Sequence, residues 1–223
     1  MRVEWYGQSA FRLEHGGVTV AIDPFGDLTA LTARGRRWEY PPIEGLCAEL
    51  LLVTHEHFDH NAVEVVGGEP LVLRSSAGRY AETPVGEVVG IASEHDEVAG
   101  TERGPNTLFA FSLGGLRVAH LGDLGQRALR PEQLAALGQL DMLIAPVGGG
   151  PTIGAAQAWE IAHATGARIV VPMHYRTERV DFLAPVDAFL ELAPRVERLA
   201  GSSFELDALP GGDGALAVVP TAP

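Results

Sequence analysis

The sequence has one cysteine, few basic residues and no long apolar run. A single thiol, Cys47, excludes an internal disulfide and suits a reducing compartment, so we expect a cytoplasmic protein. No stretch of about 20 apolar residues occurs, and the N-terminus lacks the basic-then-apolar pattern of a secretory signal, so no membrane association is expected. The 16 basic residues are outnumbered by 29 acidic ones. Nucleic-acid binding is therefore not expected, because it needs a cationic surface.

Length and composition indicate one compact domain. The 223 residues are 46% hydrophobic, which is enough to bury a substantial core. No internal repeat, low-complexity tract or linker interrupts residues 1–223. Strand patterns come first and then alternate with helix patterns, which predicts a layered α/β fold. The predicted helices are Pro131–Leu137, residues 154–165 and residues 185–192.

Metal-binding side chains are concentrated directly after one short apolar run. Leu50–Val53 has the pattern of a buried strand, and loops at strand ends are where sites are usually built. Three imidazoles and a carboxylate follow within six positions: His55, His57, Asp59 and His60. Imidazole and carboxylate donors suit zinc, manganese, nickel or iron. The alternative, a solvated polar loop, is disfavoured by four donors so close together.

The spacing within this cluster divides the donors into two pairs. His55 and His57 are separated by one residue, so in extended backbone both point the same way. Asp59 and His60 come after the chain has turned and are placed to reach a second ion.

The pattern H-x-H-x-D-H resembles the signature of the metallo-β-lactamase superfamily. Four further segments carry the resemblance in the same order: residues 21–25 with Asp23, His95 after residues 88–94, residues 120–123 ending in Asp123, and residues 170–175 with His174. The resemblance implies an α/β fold in a four-layer αββα sandwich, with metals at one edge of two packed sheets.

The resemblance also implies two divalent metal ions, with zinc first and manganese, nickel and iron as alternatives. The implied ligands are His55, His57 and His95 for one ion, Asp59, His60 and His174 for the other, and Asp123 between them. Two ions a few Å apart lower the pKa of a shared water, and the resulting hydroxide attacks a carbonyl or phosphorus centre. Asp59 or His174 is the candidate for passing a proton to the leaving group.

Within the superfamily the chain resembles the small metal-dependent hydrolases that include L-ascorbate-6-phosphate lactonase. This likeness rests on residues 104–107, 120–125 and 148–152. Gln8 departs from it, since many relatives carry histidine in that turn. The lone thiol Cys47 lies upstream of the motif, so the cysteine ligand of true β-lactamases is not expected.

Three hypotheses of function follow. The first is a dinuclear metal-dependent hydrolase of a small ester, lactone or phosphate ester. The second is a phosphodiesterase of cyclic nucleotides or nucleic acid, for which the acidic chain is a poor match. The third is an iron redox protein or a metal-binding protein without turnover. The redox protein needs an electron donor, and a binding protein without turnover would be expected to have lost ligands. The expected partner is a small molecule, and an anionic one is compatible because bound ions dominate the local field.

The long connection over residues 25–47 has the length of a functional flap. Arg34, Arg36 and Arg37 lie in it and suit a clamp for a phosphate or carboxylate, with a solvated charge cluster as the alternative. The apolar residues 38–42 suit either a cover over the site or a contact in a homo-oligomer.

Three polar residues near these motifs have structural as well as functional interpretations. Asp23 is either a carboxylate that holds a ligand histidine or a turn former before proline. His120 is expected to be a satisfied core histidine. Thr152 is expected to be a helix N-cap.

Overall fold

The computed structural model describes residues 1–28 and 35–223, which form two β-sheets. The first sheet contains β1 (Arg2–Gly7), β2 (Ala10–His15), β3 (Val18–Ile22), β4 (Leu50–Val53), β5 (Leu71–Arg74) and β13 (Ser203–Glu205). The second contains β6 (Gly78–Thr83), β7 (Gly86–Glu94), β8 (Pro105–Leu113), β9 (Leu116–His120), β10 (Met142–Pro146), β11 (Ile169–Met173), β12 (Arg195–Arg198) and β14 (Leu216–Val219). Helices α1 (Pro131–Leu137), α2 (Ala155–Thr165) and α3 (Asp187–Leu192) complete the described elements, together with a 3-10 turn at Val63–Val65.

Both sheets mix parallel and antiparallel strands. The first has the order β13-β1-β2-β3-β4-β5 and is parallel from β3 to β5. The second has the order β12-β14-β11-β10-β9-β8-β7-β6 and is parallel from β12 to β9. Because β7 and β9 are both antiparallel to β8, β7 runs in the same direction as β9. The carboxyl ends of β7, β9 and β11 therefore meet at one edge of the second sheet.

The main core lies between the two sheets. Trp5 and Phe11 from the first sheet and Phe109 and Phe111 from the second are at most 1% exposed and belong to the same cluster. Strands β10 and β11 are buried along their whole length, because helices cover the outer face of the second sheet. Parallel strands covered on both faces have such continuous apolar sequences.

The outer face of the first sheet is covered mainly by irregular chain. Phe25 packs edge-on against Trp38 at 5.3 Å between ring centroids, and Trp38 packs against Tyr40 at 5.4 Å. These rings form a second apolar cluster with Leu51 and Val53 of β4. Among the described residues, Val63–Val65 is the helical element of this layer. The predicted α/β sandwich is confirmed, with a layer of aromatic side chains on this side.

Several predicted boundaries move, and one predicted cap is wrong. Helix α2 begins at Ala155 with Gly154 as its N-cap, and the Gly154 N–H donates to the Gln157 side chain at 3.0 Å. Thr152 instead donates its hydroxyl to the Ile153 carbonyl at 3.2 Å. Strands β6 and β12 were not predicted, because they are exposed edge strands with little apolar pattern.

No helix in the described part of the chain is long and apolar enough to cross a membrane.

Gly7, at the end of β1, has no room for a side chain. Its φ is +107°, and a Cβ there would come within 2.3 Å of the Tyr40 ring. We expect Gly7→Ala to lower the free energy of unfolding by more than about 2 kcal/mol, because it adds overpacking to backbone strain. Chemical denaturation measures the change. Gly16→Ala is the matched control, since Gly16 has φ +60° and nothing within 4 Å. An equal loss in both variants would contradict the packing argument.

Candidate metal centre

The turns after five strands bring the candidate ligands to one place. Asp23 follows β3, the His55–His60 cluster follows β4, His95 follows β7, Asp123 follows β9 and His174 follows β11. Three of the residues with positive φ that are not glycine lie here: Gln8 at 49°, Asp23 at 45° and His174 at 51°. Strained backbone of this kind clusters at functional sites, where surrounding contacts hold it in place.

The first group of donors has the spacing of ligands around one ion. The nearest nitrogens of His55, His57 and His95 all lie within 4.8 Å of one another. His55 Nε2 and His57 Nδ1 are 3.1 Å apart. Tetrahedral zinc with Zn–N bonds of about 2.0–2.1 Å places two ligand nitrogens about 3.3 Å apart. The measured separation is therefore close to that of two imidazoles on one ion.

The second group lies beside the first. Donor atoms of Asp59, His60 and His174 also fall within 4.8 Å of one another. His60 Nε2 is 3.6 Å from Asp59 Oδ2. These are the residues expected from the sequence to hold the second ion, and the structure brings them together.

Asp123 lies between the two groups. Its Oδ2 is 3.2 Å from His95 Nε2 in the first group and 3.3 and 3.2 Å from the Nε2 atoms of His60 and His174 in the second. Its Oδ1 accepts a hydrogen bond from Ser9 Oγ at 3.2 Å. One carboxylate oxygen is therefore in reach of both groups, which is the position a bridging ligand needs.

Asp23 supports ligand residues in both groups. It accepts hydrogen bonds from His60 Nδ1 at 3.0 Å and from Thr54 N and Thr54 Oγ1 at 2.7 Å each. Because the Thr54 hydroxyl donates its one proton to Asp23, it accepts from His55 Nδ1–H at 3.0 Å. His55 and His60 therefore both hold Nδ1 in a hydrogen bond and turn Nε2 toward the centre. Of the two interpretations of Asp23, the geometry matches the carboxylate that orients ligand histidines.

Two ring nitrogens in the second group are buried without a hydrogen bond in the described structure, His60 Nε2 and His174 Nδ1. The 3.3 Å approach of Asp123 to His60 Nε2 is an ion-pair contact rather than a directed hydrogen bond. A buried polar atom without a partner costs about 1–3 kcal/mol, and a bound cation at His60 Nε2 would remove that cost. The donor set thus fits a divalent metal, with zinc, manganese, nickel and iron all suited to it.

The electrostatics of the cluster favour a bound cation. Burial disfavours the charged form of Asp123, but positive charge on His174 and His60 outweighs it and holds the pKa of Asp123 well below its ordinary value. Burial, together with the neighbouring His60, lowers the pKa of His55. Burial also lowers the pKa of His57. The Asp123 carboxylate is therefore anionic, and the neutral forms of the nearby His55 and His57 imidazoles are favoured.

His60 is the exception among these imidazoles. Burial opposes its ionisation, but the charges of Asp123 and Asp59 and its hydrogen bond to Asp23 raise the pKa of His60 well above the ordinary value. Positive charge is therefore stabilised at this point of the cluster, whether a proton or a metal ion carries it.

A cavity of about 280 Å³ opens beside the cluster. Its floor and rim consist of Gln8, Arg36, His57, Phe58, Asp59, His95, Arg103, Asp123, Pro151, His174 and Phe182. A more apolar cavity of about 390 Å³ lies around Phe25 and Trp38 but contains none of the candidate histidines. The smaller cavity is the candidate substrate site, because it joins open space to the metal-binding groups.

The structure distinguishes two of the three arginines of the flap, Arg36 and Arg37. Arg36 lines the cavity. Arg37 is not among the lining residues, and its main-chain N–H donates to the Asp181 carboxylate at 3.0 Å. Arg34 lies outside the described residues. Arg103 lines the cavity and was missed, because nothing in its polar surroundings in the sequence distinguishes it from a surface arginine.

Two other residues have clear positions. His120 is a core histidine with both ring nitrogens satisfied: Nε2–H donates to the Ser9 carbonyl at 3.0 Å, and Nδ1 accepts from Gly122 N–H at 3.1 Å. Gln8 is buried at the cavity, and its side-chain carbonyl has no hydrogen-bond partner among the described residues. Gln8 therefore lines the cavity as a buried amide.

Comparisons with known proteins agree with this geometry. Residues 2–174 match the sequence profile of the family described as "Beta-lactamase superfamily domain". A UPF0173 protein of Pyrococcus abyssi is 30% identical over 193 residues, covering 79% of this chain and 84% of that protein. A UPF0173 metal-dependent hydrolase of Archaeoglobus fulgidus is 29% identical over 203 residues, with the same coverage of both chains. A crystal structure from Thermotoga maritima, described as a candidate zinc-dependent hydrolase of the metallo-β-lactamase superfamily, superposes with a TM-score of 0.79 at 32% identity, covering 99% of this chain and 98% of that one.

Asp23→Asn should weaken metal binding without unfolding the protein. The amide would present N–H groups to two donors, Thr54 Oγ1–H and His60 Nδ1–H, so the orientation of His55 and His60 would be lost. We expect about a 10- to 100-fold loss of metal affinity, measured by competition with a chelator and elemental analysis.

Asp141→Asn is the matched control for this loss. Asp141 accepts a hydrogen bond from the Arg117 main-chain N–H at 2.7 Å and contacts none of the candidate ligands. Wild-type metal affinity in Asp23→Asn would show that the carboxylate does not orient the ligands.

Proposed function

This chain belongs to the metallo-β-lactamase superfamily and to its UPF0173 family, and from that premise we propose that it is a dinuclear metal-dependent hydrolase of a small ester, lactone or phosphate ester. The observation that carries the proposal is the position of Asp123 Oδ2, within 3.2–3.3 Å of imidazole nitrogens from both donor groups. The superfamily membership alone would leave the number of ions open.

The residues of the two groups would hold two ions. His55, His57 and His95 would bind one, Asp59, His60 and His174 the other, and Asp123 both. When bound, such ions make hydroxide available near neutral pH and stabilise the oxyanion of the attacked group. Zinc is the first choice for these ligands, with manganese, nickel and iron as the alternatives.

Two side chains are candidates for moving a proton to the leaving group, and exposure favours one of them. The Asp59 side chain is 19% exposed at the cavity, whereas that of His174 is 3% exposed. A substrate bound in the cavity can bring its leaving group to Asp59 more readily than to His174. Asp59 is therefore the better placed of the two for proton transfer.

The cavity supports a small substrate. Its volume of about 280 Å³ suits a molecule of modest size, such as a sugar lactone or a short ester. The net charge of −13 also argues against nucleic acid, because a cationic surface would be needed to hold a polyanion. We therefore rank the hydrolysis of a small molecule above the phosphodiesterase and redox hypotheses.

The proposal predicts that turnover follows the metal. Protein stripped with a chelator and reloaded separately with zinc, manganese, nickel or iron should hydrolyse one class in a panel of a sugar lactone, a phosphodiester and a thioester. His57→Ala and Asp59→Ala should each lower kcat/KM by more than about 100-fold, because each removes a ligand.

His163→Ala is the matched control, since His163 is an exposed imidazole on α2 and is not among the residues that line the cavity. Undiminished turnover in either ligand variant, or in stripped protein, would refute the metal-dependent mechanism.

A further inference from the structure

Two arginines from different parts of the chain line the same cavity as the candidate metal ligands. Arg36 comes from the flap, and Arg103 from the loop after His95. Phe58, which is 55% exposed, and Phe182 also line the cavity. The mouth of the site thus combines two positive charges with apolar surface.

Neither of these guanidinium groups is neutralised in the described structure. Other arginines pair with glutamates at 2.6–3.0 Å: Arg12, Arg74, Arg79, Arg127 and Arg130. No described carboxylate lies within 4.0 Å of the guanidinium of Arg36 or Arg103, although the chain has 29 acidic residues and a net charge of −13. The two positive charges beside the cavity are therefore available to an anion.

Contacts between the flap and residues 179–182 hold Arg36 at the cavity. Its Cζ lies 5.1 Å from the centroid of the Phe182 ring, a cation–π arrangement. Two hydrogen bonds join the chain after Arg36 to the loop that carries Phe182. The Arg37 N–H donates to the Asp181 carboxylate, and the Glu39 N–H donates to the Arg179 carbonyl at 3.0 Å. Phe182 and Arg36 are thereby kept together on one wall.

Arg103 is positioned by the carboxylate of Asp96. That carboxylate accepts hydrogen bonds from four main-chain N–H groups at 2.7–3.0 Å: Val98, Gly100, Glu102 and Arg103. The loop is closed by a bond from the His95 N–H to the Gly104 carbonyl at 3.1 Å. Arg103 therefore lies in a loop that is hydrogen-bonded to the main chain of His95, a candidate ligand.

We propose that Arg36 and Arg103 together bind an oxyanion of the substrate, so that the substrate is a small organic acid or phosphate whose hydrolysed bond lies over the metal centre. Arginine suits this role because its planar fork binds carboxylate and phosphate oxygens in pairs. Phe58 and Phe182 contact the apolar part of the same molecule. This inference rests on the proposed function, since it names the substrate class of that site.

Matched esters test the inference. The probes are 4-nitrophenyl butyrate, mono-4-nitrophenyl succinate, which adds a carboxylate at similar length, and 4-nitrophenyl 3-phosphonopropionate, which adds a phosphonate. We expect the zinc-loaded protein to prefer an anionic ester by about tenfold in kcat/KM, the scale of one charge-assisted contact. The better of the two anionic esters tells carboxylate from phosphate.

Substitutions locate the preference. Arg36→Gln and Arg103→Gln should each reduce it mainly through KM, and the double variant should hydrolyse neutral and anionic esters equally. Arg37→Gln is the matched control, because it removes the same charge from the neighbouring position without lining the cavity. Equal rates for neutral and anionic esters in the wild type, or an equal loss in Arg37→Gln, would overturn the inference.

A binding measurement separates this inference from the proposed function. Calorimetry of the zinc-loaded protein compares the binding of succinate, which has two carboxylates, with that of acetate, which has one. This measurement needs no turnover. An advantage for succinate that disappears in the double variant supports the anion site even if no ester is hydrolysed. Ester hydrolysis without any preference, and no advantage for succinate, would retain the hydrolase and reject the anion site.

Discussion

The orientation of two candidate ligands, His55 and His60, depends on one completely buried carboxylate, that of Asp23. Asp23 accepts hydrogen bonds from Thr54 and His60, and through the Thr54 hydroxyl it also determines the tautomer of His55. A buried anion is tolerated only when it is fully hydrogen-bonded. The bonds that satisfy Asp23 are the same bonds that turn two imidazoles toward the centre. The hydrogen bonds that offset the burial of Asp23 therefore also orient two of the candidate ligands.

Strand direction brings the candidate ligands to one place. The candidate ligands and Asp23 occur in five separate segments over more than a hundred residues, yet each segment follows the carboxyl end of a strand. Since β7, β9 and β11 run the same way, His95, Asp123 and His174 arrive at one edge of the second sheet. The first sheet supplies the remaining donors after β4. A rigid sheet thus sets separations between groups that loops alone would leave variable.

The sequence predicted which donors lie together, because each donor follows an apolar strand pattern and the order of segments resembles a known superfamily. It did not predict Arg103, whose role depends on a loop folded around Asp96. It also could not tell Arg36 from Arg37, since adjacent residues in an irregular segment carry no periodic signal for direction. Edge strands β6 and β12 were missed for a related reason: they are exposed and lack an apolar pattern. Features that follow from buried strands could be predicted from the sequence, whereas features that follow from loop conformation could not.

The loop around Asp96 has a further property. Four of its main-chain N–H groups are bound by one carboxylate, so its shape requires no particular side chain at Val98, Glu102 or Arg103. Residues of this loop can therefore be exchanged without disturbing His95 or the ligands beyond it. In such an arrangement, exposed residues at the wall of the cavity can change while the strand ends keep the candidate ligands in place, so new substrates become accessible without a new framework.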